Sequence, residues 1–503
     1  MDIKSLKDKI LQLAIQGKLV PQDENDEPAS ILLDLMKTEK EQIIKEKGIR
    51  KEKVLPEITE EEKRFDIPKG WEWSRLPNVT IFQEGPGILA KDFREDGIPL
   101  IRLSGMQTNV VSLDGCNYLD ECMVKQKWEH FKLDLGDIIV SSSASMGKVA
   151  RVDSSTVGCI PYTGLIRFKV LSGIFDKYFI YFMQSPDYMS QIDAQKSGTT
   201  IKHYGPTHLK KMIIPVPPLE EQKRIVAKVD ELFELIDELD NNKQELLENI
   251  SNTRNKVLQL AIQGKLVEQC EDDEPASVLL ERIKAEKDQL IKDKVIKKEK
   301  PLPEISEEEK SFDLPKSWEW CRLGHISTIK GGKRIPSGKK LLDEPTEHMY
   351  IRISDMKSGT IIENDIKYIS DEIYEQIKNY YIEKDDIYMT IAGTIGRVGI
   401  IPDKFHMAIL TENASKIRVY NVYKDFIFRI LDSQYIQTQI SNRTKKVGQP
   451  KLALNQIASL IIPLPPLEEQ KRIVKKVDLI MNYLDTLQQE IESQEIILED
   501  IIN

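Results

Sequence analysis

The stretch IIPVPPLEEQKRIV at residues 213–226 returns near the C-terminus as IIPLPPLEEQKRIV at residues 461–474, identical at thirteen of fourteen positions. Two isoleucines followed by prolines predict an extended segment, because each proline biases its predecessor away from helix. Pro218 suits the start of a helix, where its missing N–H costs nothing. Glu220 and Glu221 then place negative charge at the positive end of the helix dipole. The stretch therefore reads as a domain's last strand, a rigid elbow and the first turns of a helix.

The same duplication extends outward. LQLAIQGKLV at residues 11–20 recurs at 258–267, DEPAS at 26 recurs at 273, and FDIPKGWEW at 65 recurs as FDLPKSWEW at 312. The shift is 247 residues for these and 248 for the elbow, whereas the stretches between each Trp-Glu-Trp and its elbow match poorly. A tandem duplication with near-identical connectors and two divergent domains follows.

After the central elbow, Ile225, Val229, Leu232, Ile236, Leu239, Leu246, Ile250, Val257 and Leu260 follow alternating four- and three-residue steps, broken at Lys243 and Thr253. Gly264 is a natural stop. Residues 219–263 would span roughly 67 Å as one helix, and such a seam is expected to bury itself against another helix. The second copy, with Ile473, Val477, Ile480, Leu484, Leu487, Ile491, Leu498 and Ile501, ends at Asn503, which corresponds to Asn255. Met1 corresponds to Glu248, so the missing remainder lies at the other end of the chain. The second long helix is expected to be split between the two termini, giving two equivalent rods about an approximate two-fold axis. The lysine-rich stretches after each GKLV, with Leu32, Leu33, Leu35, Met36, Ile43 and Ile44 in the first, suggest a one-faced helix with a solvated charged side.

Composition agrees with several domains. The chain has 503 residues, 40% apolar and 31% charged, and a net charge of −10. The charge is uneven: residues 70–218 carry +1 and 317–466 carry +4, which leaves −15 for the connectors and helices. Local basic surfaces are therefore compatible with the acidic total. Five cysteines without a CxxC pair point to a reducing compartment and against a structural zinc site. No apolar run has the roughly 18 residues of a membrane span, and MDIKSLKDKI lacks a signal-peptide core, so a cytoplasmic protein is expected.

The chemistry of catalysis is not apparent. In SSSASMGKVA, Ser142 stands where a P-loop needs glycine and Val149 where it needs Ser or Thr. The histidines have no HxxxH or HxH spacing, GxSxG does not occur, and no Asn/Asp-Pro-Pro-aromatic tetrapeptide is found. Recognition remains. Each divergent domain holds loops rich in Gly, Lys, Arg, Ser and Thr: residues 84–94, 141–148 and 195–205 in the first, 329–340, 390–397 and 443–451 in the second. Glycine lets backbone N–H groups approach phosphate, cations neutralise it, and Thr, Gln, Asn and Arg can read base edges. On loop chemistry alone the DNA-contacting candidates are Lys91, Arg94, Lys148, Lys196, Thr199, Thr200, Lys202 and Tyr204, then Lys330, Lys333, Arg334, Lys339, Lys340, Arg397, Arg443, Lys445, Lys446, Gln449 and Lys451. IRLSGM at 101–106 and IRISDM at 351–356 read as matching strands, and Arg102 and Arg352 are expected to pair with local carboxylates more than to face DNA. Gly147 and Gly396 suggest tight turns presenting Lys148 and Arg397. Trp71, Trp73, Trp318 and Trp320 are expected as core anchors.

The paired PPLEEQKRIV elbows, the paired LQLAIQGKLV and DEPAS connectors, the GWEW and SWEW entries and the circular arrangement of two variable domains resemble the specificity subunit of a Type I restriction-modification system over essentially the whole chain. The resemblance implies an α+β fold in which two pseudo-two-fold-related target recognition domains are separated by long antiparallel coiled-coil helices. It implies these segments: 1–20 and 466–503 as two parts of the split conserved helical region, 21–67 and 268–314 as helical connectors, 68–217 and 315–465 as the recognition domains, and 218–267 as the central conserved helix. It also implies two adenine-N6 methyltransferase subunits carrying S-adenosylmethionine, restriction subunits using ATP and Mg, double-stranded DNA as ligand, and no cofactor or active site in this chain. A stand-alone bipartite DNA-binding regulator and a coiled-coil scaffold without nucleic acid remain open alternatives.

Overall fold

In the computed structural model, Ile213–Val216 is a strand paired antiparallel with Glu72–Arg75, and the chain turns directly into the 44-residue helix Leu219–Ile262. The second elbow repeats this: Ile461–Leu464 pairs with Glu319–Arg322 and leads into the helix Leu467–Ile502. The structure describes residues 3–47, 55–143, 147–194, 204–444 and 451–502, with side chains as far as 46 in the first segment and 493 in the last. The chain divides into two units, Met1–Lys243 with Gln494–Asn503, and Gln244–Ser493. The boundary falls inside the central helix, so each unit holds part of it.

In the first unit, helix Ile3–Ile15 packs Leu6, Ile10, Leu11, Ala14 and Ile15 into one core with Ile225, Val226, Val229 and Ile236 of the central helix. The pair is antiparallel: Lys7 meets Asp237 at 2.6 Å, while Gln22 meets Glu221 at 3.0 Å. In the second unit, Val257, Leu258, Ala261 and Ile262 share a core with Ile473, Val474 and Val477. There Arg254 meets Asp485 at 2.6 Å and Gln269 meets Glu469 at 2.5 Å. By the 247 and 248 shifts these are the same contacts, so each unit builds one equivalent helix pair from segments distant in sequence.

The seam is buried less completely than its spacing predicts. Ile225, Val229, Ile236, Ile250, Val257, Ile473, Val477 and Ile491 are buried, and Leu232, Ile480 and Leu484 half-buried. Leu239, Leu246 and Leu487, expected in the seam, are 44%, 50% and 44% exposed. Leu239 and Leu246 flank the polar run Asp240, Asn241, Asn242, Lys243, which interrupts the apolar stripe, and single exposed leucines are tolerated on a helix surface. The side chain of Leu498 lies outside the described residues. Helix Ala29–Lys47 is one-faced as expected, with Leu32 and Met36 buried, although Leu35 is 58% exposed.

Each divergent domain carries a four-stranded antiparallel sheet: Thr80–Glu84, Leu165–Val170, Ile138–Ser141, Val149–Arg151 in the first, and Ser327–Gly331, Ala414–Val419, Asp386–Thr390, Val398–Ile400 in the second. A smaller sheet adjoins it. In the first domain it contains Phe93–Arg94, Asn117–Leu119, Ile98–Ile101 and Ile160–Pro161, the last pair parallel. In the second it contains Lys367–Tyr368, Met349–Ile351 and Ile409–Leu410. The strands expected over 101–106 and 351–356 stop at Ile101 and Ile351, and Arg102 and Arg352 instead precede the 3-10 turns Leu103–Gly105 and Ile353–Asp355.

The elbow is held by a partly buried polar network that is written twice. The Trp71 indole N–H donates to Glu221 at 3.0 Å, and Trp318 donates to Glu469 at 2.9 Å. Arg224 binds Asp26, and Arg472 binds Asp273. Arg75 ties Glu62 to the carbonyls of Pro56, Glu57 and Lys211, and Arg322 does the same with Glu309, Pro303, Glu304 and Ser459. Trp71 and Trp318 are core anchors, as expected, each 4% exposed; Trp73 and Trp320 are half-buried against Phe65 and Phe312.

Candidate nucleic-acid interface

In the first unit the Gly-rich loops meet around a short turn, residues 161–164, that joins the small sheet to the large one. Gly85 crosses it so closely that a Cβ would stand 2.3 Å from the Pro161 carbonyl oxygen and 2.4 Å from that of Tyr162. The Tyr162 hydroxyl donates to the Ile88 carbonyl, and the Tyr162 ring lies 6.4 Å from that of Phe93. From the other side, the Ser142 N–H donates to the Gly164 carbonyl, and the Tyr204 N–H to the Ser142 carbonyl. Parts of all three loops, 84–94, 141–148 and the end of 195–205, are thus joined.

The second unit repeats this around residues 410–413. A Cβ on Gly332 would stand 2.1 Å from the Thr411 carbonyl oxygen, and the Lys333 N–H donates to the Leu410 carbonyl. The Ile391 N–H donates to the Asn413 carbonyl, and Ala392 forms a β-bridge with Lys451. These turns were not singled out by loop composition, since PYTG and LTEN are neither glycine-rich nor basic. Their signal is positional: each directly precedes the strand that pairs with both of its neighbours in the large sheet.

The expected cations divide by what they touch. Lys91, Arg94, Lys330, Lys333, Arg334, Lys339, Lys340 and Lys451 are exposed. Arg94 donates to the carbonyls of Lys91 and Phe93. Lys333 lies 5.6 Å from the Tyr380 ring centroid, and Lys339 pairs with Glu372 at 2.7 Å. Lys330 stands on the strand Ser327–Gly331 opposite Lys416. Gly147 and Gly396 have φ of 84° and 86°, the left-handed turn expected there. The two residues they present fold back: Lys148 donates to Gln107 at 2.8 Å and Arg397 to the Met356 carbonyl at 2.7 Å.

Two candidates are corrected. Tyr204 is buried, its hydroxyl 3.2 Å from both the Tyr188 hydroxyl and the Ser141 carbonyl, and burial pushes its phenol up to about 12. It anchors the end of its loop in the core and offers no edge to a ligand. Arg443 gives both terminal nitrogens to main-chain carbonyls, those of Gln456 and Ser459, and burial pulls its guanidinium below the usual value. Lys196, Thr199, Thr200, Lys202, Lys445, Lys446 and Gln449 lie outside the described residues.

The two matching arginines also separate. Arg352 pairs with Asp355 and Asp365, as expected. Among the described residues Arg102 has no carboxylate partner; it donates to the Asn117 amide oxygen and stacks 4.4 Å from the Tyr162 ring, bracing the turn. Among the described residues, no helix is long and apolar enough to cross a membrane, and no three His, Cys, Asp or Glu side chains cluster as metal ligands.

Comparison with known proteins bears directly on these paired domains. The family described as the Type I restriction modification DNA specificity domain matches residues 68–249 and again 315–496. The chain is 32% identical to the Type I restriction enzyme EcoAI specificity subunit of Escherichia coli, across 95% of this chain and 88% of that protein. It is 28% identical to the EcoEI specificity subunit of the same organism, across 98% and 91%. Among solved structures, a chain from work on complex assembly and conformational transition of the type I R-M system aligns with a TM-score of 0.60 at 19% identity, covering 87% of this chain and 97% of that one. The crystal structure of the HsdS subunit from Thermoanaerobacter tengcongensis aligns with a TM-score of 0.52, also at 19%, covering 88% and 98%. At that identity the structural matches speak for the fold alone.

Proposed function

The chain belongs to the Type I restriction modification DNA specificity family, and from that premise we propose that each of its two recognition domains reads one half of a bipartite, asymmetric DNA site. The chain then directs partner subunits to that site and supplies no catalytic group of its own. Two adenine-N6 methyltransferase subunits would bring S-adenosylmethionine, and restriction subunits would bring ATP and Mg. The working compartment would be the cytoplasm, where the DNA is.

One observation carries this proposal. The two units share their elbow and helix-pair contacts, yet gather different side chains around equivalent turns at 161–164 and 410–413. Identical frames with unlike reading loops suit a site whose two halves differ in sequence. The exposed cations Lys91, Arg94, Lys333, Lys340 and Lys451 supply the charge that phosphates require. Exchanging residues 71–214 for those of a relative, in a host carrying the whole system, tests it. Mapping of genomic adenine methylation is expected to show one half of the motif replaced and the other retained. A change in both halves would refute the modular assignment. Sequence-specific footprints from the chain alone, with no adenine methylation in the host, would identify a regulator instead.

A further inference from the structure

Arg334 lies in the loop 329–340 with its side chain 76% exposed, and its Nε donates to Oε1 of Glu412 at 2.6 Å. Glu412 belongs to the turn at the centre of the loops and is itself held in place. Its Oε2 accepts from the Thr411 hydroxyl at 3.0 Å and lies 3.4 Å from the Tyr350 hydroxyl, which donates to the Lys333 carbonyl at 2.9 Å. Tyr350 is buried. Burial alone would raise the Glu412 carboxyl, but hydrogen bonds from Arg334, from its own backbone and from Thr411 hold it below the usual carboxylate value. The carboxylate therefore stays ionised against the arginine.

This arrangement is poorly made for gripping phosphate. An arginine neutralised at 2.6 Å adds little net charge, and a phosphate contact needs no fixed plane. It is well made for reading an edge. The bond at Nε fixes the guanidinium plane, and neither terminal nitrogen of Arg334 has a partner among the described residues. Two N–H donors side by side match the O6 and N7 acceptors that guanine alone presents in the major groove. Other arginines of this domain are engaged at their terminal nitrogens: Arg352 with Asp355, Arg397 with a carbonyl, Arg418 with Glu383, Arg429 with Asp478 and Arg443 with carbonyls. The first domain has Gly87 and Thr163 at the corresponding positions and so has no such pair.

We propose that Arg334 is a specificity-determining residue that reads one guanine in the half-site of the second domain, with Glu412 as its positioning residue. This rests on the function proposed above. The test uses the complete system in its host, with genomic adenine methylation mapped for the wild type, R334A, R334K and E412Q. The wild-type motif is expected to require guanine at one position of one half. R334A should relax preference at that position by roughly tenfold while leaving every other position unchanged. R334K, which keeps the charge but loses the planar fork, should relax it too. E412Q should relax it less, with an unchanged melting temperature of the purified chain, because a merely structural pair would not move a single base preference. A uniform loss of methylation with the motif intact would make Arg334 a phosphate contact and overturn the proposal. So would an unaltered motif at unaltered level, which would leave only a surface ion pair. If the wild type directs no sequence-dependent methylation, the functional assignment itself fails, and that result is distinct from either of these.

Discussion

Trp71 reaches Glu221 in one unit and Trp318 reaches Glu469 in the other, each through a hydrogen bond between an indole and a buried carboxylate. At the turn that gathers the loops, the corresponding residues are Thr163 and Glu412, and only the second holds an arginine. The elbow is the same chemistry twice, whereas the turn is the same backbone with different chemistry. The difference shows where each kind of constraint acts. Contacts between segments far apart in sequence need matched partners on both sides, so one changed residue strands the other. At the turn the backbone is fixed by the crossing glycine and the loop hydrogen bonds, so the side chains it carries can differ between the two units.

The sharpest way to break the elbow half of this comparison is Trp71→Ala beside Trp318→Ala. Each removes a large buried side chain, at about 3–5 kcal/mol, and strips a donor from a carboxylate that is 1% exposed. Chemical unfolding of the two variants should give equal losses within about 1 kcal/mol, a margin at the scale on which site context alters such costs. A much larger loss in one would show that the frames are not equivalent. Gly85→Ala and Gly332→Ala sharpen the turn half. Both place a Cβ within 2.4 Å of backbone oxygens that cannot step aside, so each should cost about 1–3 kcal/mol. Their effects should agree although the neighbouring side chains differ.

The smallest expected effect is on pH dependence. The hydrogen bond from Arg75 holds the Glu62 carboxyl below its ordinary value; for Glu309 the backbone N–H of Ser306 comes first, with Arg322 adding to it. A depressed carboxyl contributes stability above its ordinary value and loses it as pH falls through the folded value. Melting temperature should therefore fall below about pH 4.5, and less steeply in Glu62→Gln and Glu309→Gln. An unchanged slope would show that these pairs are screened at the surface.

Much of this was legible in the sequence, for reasons that also mark its limits. The prolines and glutamates of the elbow act locally, so strand, turn and helix followed from 213–226 alone. The split helix followed from arithmetic on repeats, and Lys7 with Asp237 against Arg254 with Asp485 places matched residues in matched contacts. The indole-to-carboxylate bond was not legible, because Trp71 and Glu221 are 150 residues apart and nothing local announces their meeting. Tyr204 was misjudged because its neighbours are polar, while its burial depends on Tyr188 and Ser141. Arg443 was misjudged in the same way: a basic loop says how much charge is present, not which carbonyls consume it. Glu412 escaped notice because an acidic residue contradicts the pattern of a cationic loop. Its value lies in what it does to the arginine beside it.

The helix Ile3–Ile15 finds its partner only when Asp237 exists, 230 residues later, and Arg254 waits 231 residues for Asp485. At a synthesis rate of about 5–20 residues per second, each interval lasts roughly ten to fifty seconds. Until residues 176–194 and 225–236 have been made, the apolar face with Leu6, Ile10 and Leu11 lacks the helices that share its core. During translation this polypeptide therefore twice presents a sticky helix to the cell before its own mate has been made.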